Sequence, residues 1–226
     1  MAGAARSRPR IVPIREGAPI VYPSRSFQPG MGAWERASGT NRRRPPVSKI
    51  GRSPKASRRI DMTEPNRETA TLAGGCFWGV EELIRQLPGV VETVVGYTGG
   101  TLDDPTYDYV KKGNSGHAEA VKITFDPAVI SYEEILRFFF RMHDPTQLNR
   151  QMNDVGTQYR SAIFVHSEEQ RATADRVKAE VDASGKWPRP LVTAIVPATA
   201  WYDAEEYHQD YLRKNPWGYN CHFVRD

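Results

Sequence analysis

The sequence predicts an α+β fold, in which helices pack on a mixed sheet. Three observations support this prediction. The apolar runs are short, and the longest of them, such as 90–95, are strand-sized rather than the roughly 18 residues of a membrane span. Helix-like and strand-like segments follow one another without the regular alternation of a βαβ fold. No internal repeat is evident along the 226 residues.

The first half of the folded part contains two strands, a helix, a long loop and a third strand. Residues 69–72 form a short strand that leads into two glycines. The apolar positions of 80–87 follow the i, i+3, i+4, i+7 rule of an amphipathic helix, which a Pro-Gly pair ends. Residues 90–97 form a strand, and the polar segment 101–116 forms a long loop with one short turn. Residues 119–125 alternate as a strand.

The second half of the folded part is predicted to contain three helices and two strands. A Ser-x-x-Glu capping box begins a helix over 131–143, which ends at an Asp-Pro pair. A strand follows at 159–165. A second capped helix covers 167–184, where Ser-Gly stops it. After a strand at 191–196, Asp203 opens a last helix that ends before Asn215-Pro216.

Residues 1–61 differ from the rest in composition. They hold 14 of the 31 Lys and Arg but only three of the 27 acids, a net charge of +11. The segment is rich in Arg, Pro and Ser and has no lasting periodicity, so we expect a disordered, dispensable extension. It lacks the apolar core of a secretory signal, although its composition also fits a transit peptide, which leaves organelle import open.

Residues 62–226 form the predicted catalytic domain. With 17 basic and 24 acidic residues, the domain carries a net charge of −7. This balance argues against a specific nucleic-acid-binding core, and the short apolar runs argue against a membrane protein. Two cysteines do not make a disulfide framework. We therefore expect a cytoplasmic protein.

Cys76 is the candidate nucleophile. It follows two glycines at the end of a strand and begins the first predicted helix. Unpaired backbone N–H groups and the helix dipole favour a thiolate there, which predicts a lowered pKa. Phe77 and Trp78 cannot both face one core, so one of them is expected to line a pocket, whereas Glu81 and Glu82 are expected on the solvent side. Alternatively, Cys76 is an inert buried residue.

Glu119 is the candidate proton donor. In the strand 118–125 it shares one face with Val121, Ile123 and Phe125. A carboxyl on an apolar face is desolvated, so its pKa should rise and the group should be a neutral acid near pH 7. The alternative is an edge position at which Glu119 meets water.

Several polar residues lie in loops rich in Gly, Asp and Asn. Tyr107, Tyr159 and Tyr219 can each donate a hydrogen bond to a polar oxygen while the ring packs. Asp154 precedes a glycine. Each of these residues also has an ordinary interpretation, as a surface or turn residue.

Cys221 lies in a tail broken by Pro and Gly, outside any predicted helix or strand. Such a cysteine is placed to resolve a sulfenic acid into a disulfide. Cys221 and His222 are adjacent, and neither a C-x-x-C nor an H-x-x-H pair occurs, so no metal site is expected.

The sequence resembles the type A methionine sulfoxide reductases, the peptide-methionine (S)-S-oxide reductases. The resemblance covers about 69–223 and has no counterpart in 1–61. It rests on a series of motifs in the same order: GGCFWGVE at 74–81, GYTGG at 96–100, PTY at 105–107, GHAEAV at 116–121, HDPT at 143–146, GTQYRS at 156–161, HQDYL at 208–212 and NP at 215–216.

This resemblance implies a two-layer α/β plait and an enzyme that repairs oxidised proteins without a cofactor. It implies reduction of the S epimer of methionine sulfoxide, free or in proteins. Its implied roles are Cys76 as nucleophile and Glu119 as proton donor. It also implies residues that bind the substrate. Tyr107 and Tyr159 would hydrogen-bond the sulfoxide oxygen, and Asp154 would shape the polar side of the site. Phe77 and Trp78 would hold the methyl group of the substrate. Tyr219 joins these candidates.

The tail departs from the family pattern. Many members carry Gly-Tyr-Cys there, whereas this chain has Asn220 at that cysteine position and Cys221 one residue later. We expect Cys221 to form a disulfide with the Cys76 sulfenic acid, which thioredoxin then reduces. A monomer is expected.

Two other classes of function remain open at the sequence level. One is a different thiol enzyme, either a thiol peroxidase or a cysteine hydrolase that would need a His beside Cys76. The other is a non-catalytic binding domain, which would attach to nucleic acid through its Arg-rich extension.

Overall fold

The computed structural model of this chain describes residues 66–225. The predicted extension, residues 1–61, lies outside the described part, so its disorder stays a prediction. Among the described residues, no helix combines the length and the apolar character needed to cross a membrane.

Within residues 66–225, eight strands build two sheets. In chain order they are β1 (Glu68–Gly74), β2 (Val90–Thr98), β3 (Ala118–Phe125), β4 (Arg150–Gln151), β5 (Asp154–Val155), β6 (Ser161–Val165), β7 (Ala194–Pro197) and β8 (Trp201–Asp203). Six of them form one sheet in the order β7-β6-β1-β3-β2-β8, and β4 pairs with β5 in a separate hairpin. All pairs are antiparallel except β6 with β7, which is parallel, so the sheet is mixed.

Five α-helices and one 3₁₀ turn accompany the strands. They are α1 (Phe77–Ile84), α2 (Tyr107–Val110), α3 (Tyr132–Met142), α4 (Glu168–Ala183), α5 (Tyr211–Lys214) and the 3₁₀ turn Thr157–Tyr159. The helix α3 begins with the predicted capping box, in which Ser131 and Glu134 bond each other's backbone N–H groups. At the start of α4, one of the two bonds of such a box is present: the Ser167 hydroxyl accepts the Gln170 N–H.

The main hydrophobic core lies between one face of the sheet and the three longer helices. Leu72, Ile123 and Ile163 point from the sheet into the same buried cluster as Val80 of α1 and Phe139 of α3. The opposite face carries a smaller cluster, made of four alanines and one phenylalanine, against which Trp201 packs. Helices packed on a mixed sheet confirm the predicted α+β class.

The structure corrects two predicted helices. The first helix ends at Ile84 rather than at residue 87, because the chain turns before the Pro-Gly pair. The last helix does not begin at Asp203, which ends strand β8 instead. Turns cover the stretch up to Asp210, whose φ of 52° lies in the left-handed region, and only Tyr211–Lys214 is helical.

The expectation that Glu81 faces solvent is also wrong. Glu81 is 2% exposed and accepts hydrogen bonds from the Thr93 hydroxyl and from the Asp210 N–H. Burial raises its pKa to about 7. Its neighbour Glu82 is only partly buried and pairs with Arg85 on the same helix. Glu81 therefore ties α1 to the segment that precedes α5.

Candidate active site

Cys76 lies at the junction of β1 and α1, where it is the N-cap residue of the helix. Gly75, just before it, has a φ of 112°, a backbone conformation that residues other than glycine rarely adopt. A Cβ on Gly75 would also come within 2.6 Å of the Gln151 Cβ, in the hairpin of β4 and β5. The Cys76 side chain is 7% exposed. The sharp turn thus brings the thiol and the hairpin to one place.

Glu119 reaches the same helix end from β3. It is 2% exposed, and its Oε2 accepts the backbone N–H of Phe77 at 3.1 Å. Burial raises its pKa to about 8, more than the Phe77 N–H lowers it. The carboxyl is therefore mainly protonated at neutral pH. This confirms the expectation of a desolvated acid on the apolar face and excludes the solvent-facing alternative.

The pKa of Cys76 is displaced in the direction opposite to the prediction. Burial raises it well above its ordinary value, and Glu119 adds to this effect once its carboxyl is ionised. The backbone N–H of Trp78 acts in the predicted sense and lowers the pKa, as a helix N-terminus should. Desolvation prevails over this local effect because the sulfur is almost excluded from water.

Tyr107 and Tyr159 face the same space. Burial raises the pKa of Tyr107 to about 12, with further contributions from Glu119 and Cys76. Burial also raises the pKa of Tyr159, and Glu119 and Tyr107 contribute next. Both phenols therefore stay protonated and can donate hydrogen bonds. The sequence-predicted tyrosines lie together with the acid and the thiol.

Asp154 organises the other side of the site. Its Oδ2 accepts the Tyr219 hydroxyl at 3.1 Å and the Cys221 thiol at 3.2 Å. Cys221 is half-buried, and burial raises its pKa to about 12 with the help of the Asp154 hydrogen bond. The backbone N–H of Cys76 acts on the same sulfur and lowers that pKa. Both cysteines are free thiols.

The chain terminus packs on the turn that carries Cys76. His222 is 4% exposed and its Nε2 bonds the Gly74 carbonyl oxygen at 2.8 Å. A Cβ on Gly79 would lie 2.4 Å from His222 Nδ1 and 2.6 Å from Asn220 Oδ1. The glycine in α1 therefore leaves the room that this contact requires, which places Cys221 beside Cys76.

Phe77 and Trp78 extend from the start of α1 into an aromatic cluster. The ring of Phe77 is 1% exposed and lies 5.2 Å from that of His208. Trp78 stacks on Tyr211 at 3.8 Å, and its Nε1 donates to His208 Nδ1 at 3.1 Å. Trp78 is the more accessible of the two rings, and Phe77 belongs mainly to the core.

Sequence reasoning missed several residues of this site. Glu205 accepts the Tyr107 N–H and the Tyr97 hydroxyl, each at 2.9 Å. His208 contacts Trp78, and His222 contacts Cys221. His208 lies in one of the family-like motifs, which was the only available signal. Glu205 had none, because nothing in its neighbourhood along the chain points to Tyr107.

Within residues 66–225, no group of three or more His, Cys, Asp or Glu side chains is arranged to hold a metal ion.

Comparison with known proteins gives consistent results. The profile of the family described as peptide methionine sulfoxide reductase matches residues 68–226. A peptide methionine sulfoxide reductase MsrA of Mycobacterium sp. is 56% identical over 160 residues, 71% of this chain and 91% of that protein. The crystal structure of reduced Mxr1 from Saccharomyces cerevisiae has a TM-score of 0.68 at 42% identity and covers 71% of this chain and 93% of that one. Mxr1 in complex with Trx2 has a TM-score of 0.50 at 29% identity, with 74% and 97% covered.

Proposed function

Because the chain belongs to the peptide methionine sulfoxide reductase family, we propose that its folded part reduces methionine sulfoxide through the thiol of Cys76. Reduction of methionine sulfoxide to methionine is the activity of this enzyme, an oxidoreductase. The residues that perform it, and the order of their steps, are the content of the proposal.

The observation that carries the proposal is the pairing of Cys76 with Glu119. A protonated carboxyl and a thiol meet at the N-terminus of α1, where the carboxyl is anchored by the Phe77 N–H at 3.1 Å. A sulfoxide needs both a nucleophile for its sulfur and a proton for its oxygen. This pair supplies the two together, and burial keeps competing water away.

In the first step the Cys76 sulfur attacks the sulfoxide sulfur while Glu119 protonates the oxygen. The oxygen is transferred to Cys76, methionine leaves, and the cysteine becomes a sulfenic acid. Glu119 gives its proton to the sulfoxide oxygen and receives the proton that the Cys76 thiol loses. The step therefore consumes no other reactant. The raised pKa of Cys76 means that the thiolate forms in concert with this proton transfer rather than in advance.

Neighbouring side chains orient the substrate in this scheme. Tyr107 and Tyr159 donate hydrogen bonds to the sulfoxide oxygen. Trp78, with Phe77 behind it, holds the methyl group. Asp154 and Tyr219, already bonded to each other, form the polar wall. A fixed arrangement of methyl pocket and oxygen donors can accept only one configuration at sulfur, for which we propose the S epimer.

In the second step Cys221 attacks the sulfenic sulfur and releases water, which leaves a Cys76–Cys221 disulfide. The tail contacts of Asn220 and His222 with α1 place the Cys221 sulfur beside the Cys76 backbone. We propose that thioredoxin reduces this disulfide. The yeast relative Mxr1, which forms a complex with Trx2, supports this reductant.

The other thiol chemistries are less well supported. A cysteine hydrolase requires a histidine base at its nucleophile. The groups that act most strongly on the Cys76 thiol are Glu119, the Trp78 N–H, Cys221 and Asp154. An acid beside the thiol suits oxygen protonation better than it suits thiol deprotonation.

The first test is an assay with racemic free methionine sulfoxide and dithiothreitol, in which each epimer is followed separately. The chain should consume the S epimer alone, and Cys76→Ser should abolish consumption because no nucleophile remains. Hydroperoxide should not replace the sulfoxide as oxidant. Turnover by the Cys76→Ser variant would refute the proposed nucleophile.

The second test concerns the resolving cysteine. Without a resolver, Cys221→Ser should produce about one equivalent of methionine per enzyme and then stop when thioredoxin is the reductant. Quantifying methionine against enzyme concentration provides the measurement. Repeated turnover of Cys221→Ser with thioredoxin would remove Cys221 from the mechanism.

We also propose that the enzyme acts in the cytoplasm as a monomer, without a specific nucleic acid or a membrane as partner. Thioredoxin keeps thiols reduced in that compartment, which fits a cycle that needs two free cysteines. Size-exclusion chromatography with light scattering tests the monomer.

A further inference from the structure

We propose that His222 is a catalytic residue of the second step, in which its Nδ1 accepts the proton of the Cys221 thiol. The inference rests on the proposed function, in which Cys221 resolves the sulfenic acid. The observations that carry it are the contact of His222 with the Cys221 sulfur and the way the ring is held.

The hydrogen bonds of His222 decide its tautomer. Nε2 lies 2.8 Å from the Gly74 carbonyl oxygen, which can only accept, so Nε2 carries the ring proton. Nδ1 of the neutral ring then has a free lone pair. This atom is 3.3 Å from the Cys221 sulfur, within the range of a thiol hydrogen bond. The ring is therefore oriented with its acceptor toward the resolving thiol.

Packing holds this orientation. The ring is 4% exposed, bonds the Gly74 carbonyl oxygen and lies against Gly75 and, in α1, Gly79. A Cβ would come within 3.2 Å of the ring carbon Cε1 at Gly75 and within 2.4 Å of Nδ1 at Gly79. Side chains at these positions would displace the ring. The contact of His222 with Cys221 is thus built into the turn that carries Cys76.

Cys221 needs such an acceptor. Its sulfur attacks as a thiolate, yet burial and the Asp154 hydrogen bond raise its pKa to about 12. Burial lowers the pKa of His222 to about 4, so at neutral pH the ring is neutral and its Nδ1 lone pair is available, although the same burial makes the ring a weak base. The titratable and charged groups around the pair are Asp154, Tyr219 and Cys76 on the side of Cys221, and Asp154, Arg225 and the buried His143 on the side of the ring.

Asp154 and His222 play different parts. A carboxylate beside the sulfur opposes the development of a second negative charge, as the raised pKa of Cys221 shows. The same carboxylate favours a positive charge on His222. Because burial disfavours a full imidazolium, the proton moves to His222 as the S–S bond forms, and Asp154 stabilises the positive charge that develops on the ring.

The proposed step is balanced without an added reactant. The S–H bond of Cys221 breaks and its proton passes to His222 Nδ1. The sulfur attacks the sulfenic sulfur of Cys76, so that the S–S bond forms as the S–O bond breaks. The leaving hydroxide takes the proton from His222 and departs as water. Cys221 is oxidised, and the sulfenic sulfur of Cys76 is reduced to the disulfide level.

Two substitutions separate proton acceptance from anchoring. His222→Gln places an amide N–H near the position of Nε2, so it can keep the bond to Gly74 while it lacks a base at Nδ1. His222→Asn places an oxygen near Nδ1, so it keeps a hydrogen-bond acceptor at Cys221 and loses the bond to Gly74. Both variants are studied as the full chain.

The measurement is a single turnover without reductant, in which methionine formation and loss of free thiols are followed in the same reaction. We expect both variants to slow disulfide formation relative to methionine formation by on the order of 100-fold, because neither amide is a base that can take the thiol proton. We also expect the His222→Gln rate to rise with pH, because hydroxide must then remove the thiol proton, while the natural enzyme stays nearly flat around neutrality.

A wild-type ratio of the two rates in His222→Gln would overturn the proposal. Slowing of His222→Asn alone would indicate a structural anchor, and slowing of both variants with an unchanged pH profile would indicate altered packing, so either result would overturn it as well. Cys221→Ser, measured in parallel, distinguishes failure of the role proposed for His222 from failure of the proposed function. If that variant still turns over repeatedly with thioredoxin as the reductant, or if no methionine forms in the natural enzyme, the proposed function itself is wrong.

Discussion

At the scale of single residues, burial governs the chemistry of the site. Glu119 is 2% exposed and its pKa is raised to about 8, so the folded protein holds a proton that an exposed carboxyl would release. The same desolvation raises the pKa of Cys76. An acid that stays protonated and a thiol that stays neutral suit a reaction in which attack and proton transfer occur together.

Replacement of Glu119 separates proton donation from the other contacts of the site. Glu119→Ala should lower kcat/KM for methionine sulfoxide by on the order of 100-fold, because no acid remains. Glu119→Gln keeps an N–H donor of similar shape and should lose less. The natural enzyme should lose activity as the pH rises through about 8, where Glu119 ionises. Equal, undiminished rates in both variants would exclude Glu119 from the mechanism.

Glu119 should also couple stability to pH. Its pKa is raised from 4.5 in the unfolded chain to about 8 in the folded one, so folding takes up a proton between these values. The stabilisation is fully present below pH 4.5 and falls by up to about 1.4 kcal/mol per pH unit until pH 8. Glu119→Gln should remove the share of Glu119 and leave that of Glu81, whose pKa burial also raises. Urea unfolding of both proteins at about pH 5 and about pH 8 measures it, and parallel curves would contradict the assignment.

At the scale of elements, the short helix α2 depends on a residue almost 100 positions away. Tyr107–Val110 is too short to be stable by itself, and its N-cap Thr106 provides no side-chain bond. Glu205 replaces that cap, because its Oε1 accepts the Tyr107 N–H at 2.9 Å. Its Oε2 accepts the Tyr97 hydroxyl. Glu205 therefore holds Tyr107 at the site.

Glu205→Ala should lower kcat/KM by about 10-fold or more, because Tyr107 would lose its position. It should also reduce the free energy of unfolding by about 1–3 kcal/mol, since the buried Tyr97 hydroxyl loses its partner. Glu206→Ala is a matched control, because the neighbouring Glu206 side chain is 91% exposed and pairs with the surface residue Lys214. Steady-state kinetics and urea unfolding of both variants provide the measurement. Identical kinetics in the two would argue against Glu205 as a positioning residue.

At the scale of the whole molecule, two parts of the chain differ in the sign of their net charge. Residues 1–61 carry a net charge of +11, and residues 62–226 carry −7. Every residue proposed for catalysis or substrate binding lies in the second part. The family profile likewise matches only residues 68–226. The proposed chemistry therefore lies in the second part, and we expect the basic extension to be dispensable for it.

Removal of residues 1–61 should leave kcat/KM for free methionine sulfoxide unchanged within about twofold, because no proposed site residue is lost. The kinetics of the truncated and full chains with dithiothreitol give the comparison. The nucleic-acid alternative makes a separate prediction, which is salt-sensitive binding of DNA by the full chain that the truncation abolishes. A large loss of kcat/KM on truncation would contradict the assignment of the extension as dispensable.

Local patterns in the sequence were sufficient for much of the fold and for the two central residues. Alternation over 118–125 placed Glu119 on an apolar face, and the structure buries it there. The glycines before Cys76 and the periodicity after it predicted a strand, a sharp turn and a helix start. These features depend on neighbours within a few residues, which a single sequence displays directly.

Tertiary contacts decided the rest. The segment before α5 resembles a helix in its apolar spacing, yet Asp210 adopts a left-handed φ and donates its N–H to the buried Glu81. The pKa of Cys76 rises because the packed protein excludes water, although its helix position alone lowers it. His222 meets Gly74 across 148 positions. The sequence by itself thus determined the elements and the reactive pair, whereas only the folded chain determined their supporting residues and proton affinities, because desolvation and long-range hydrogen bonds arise from packing.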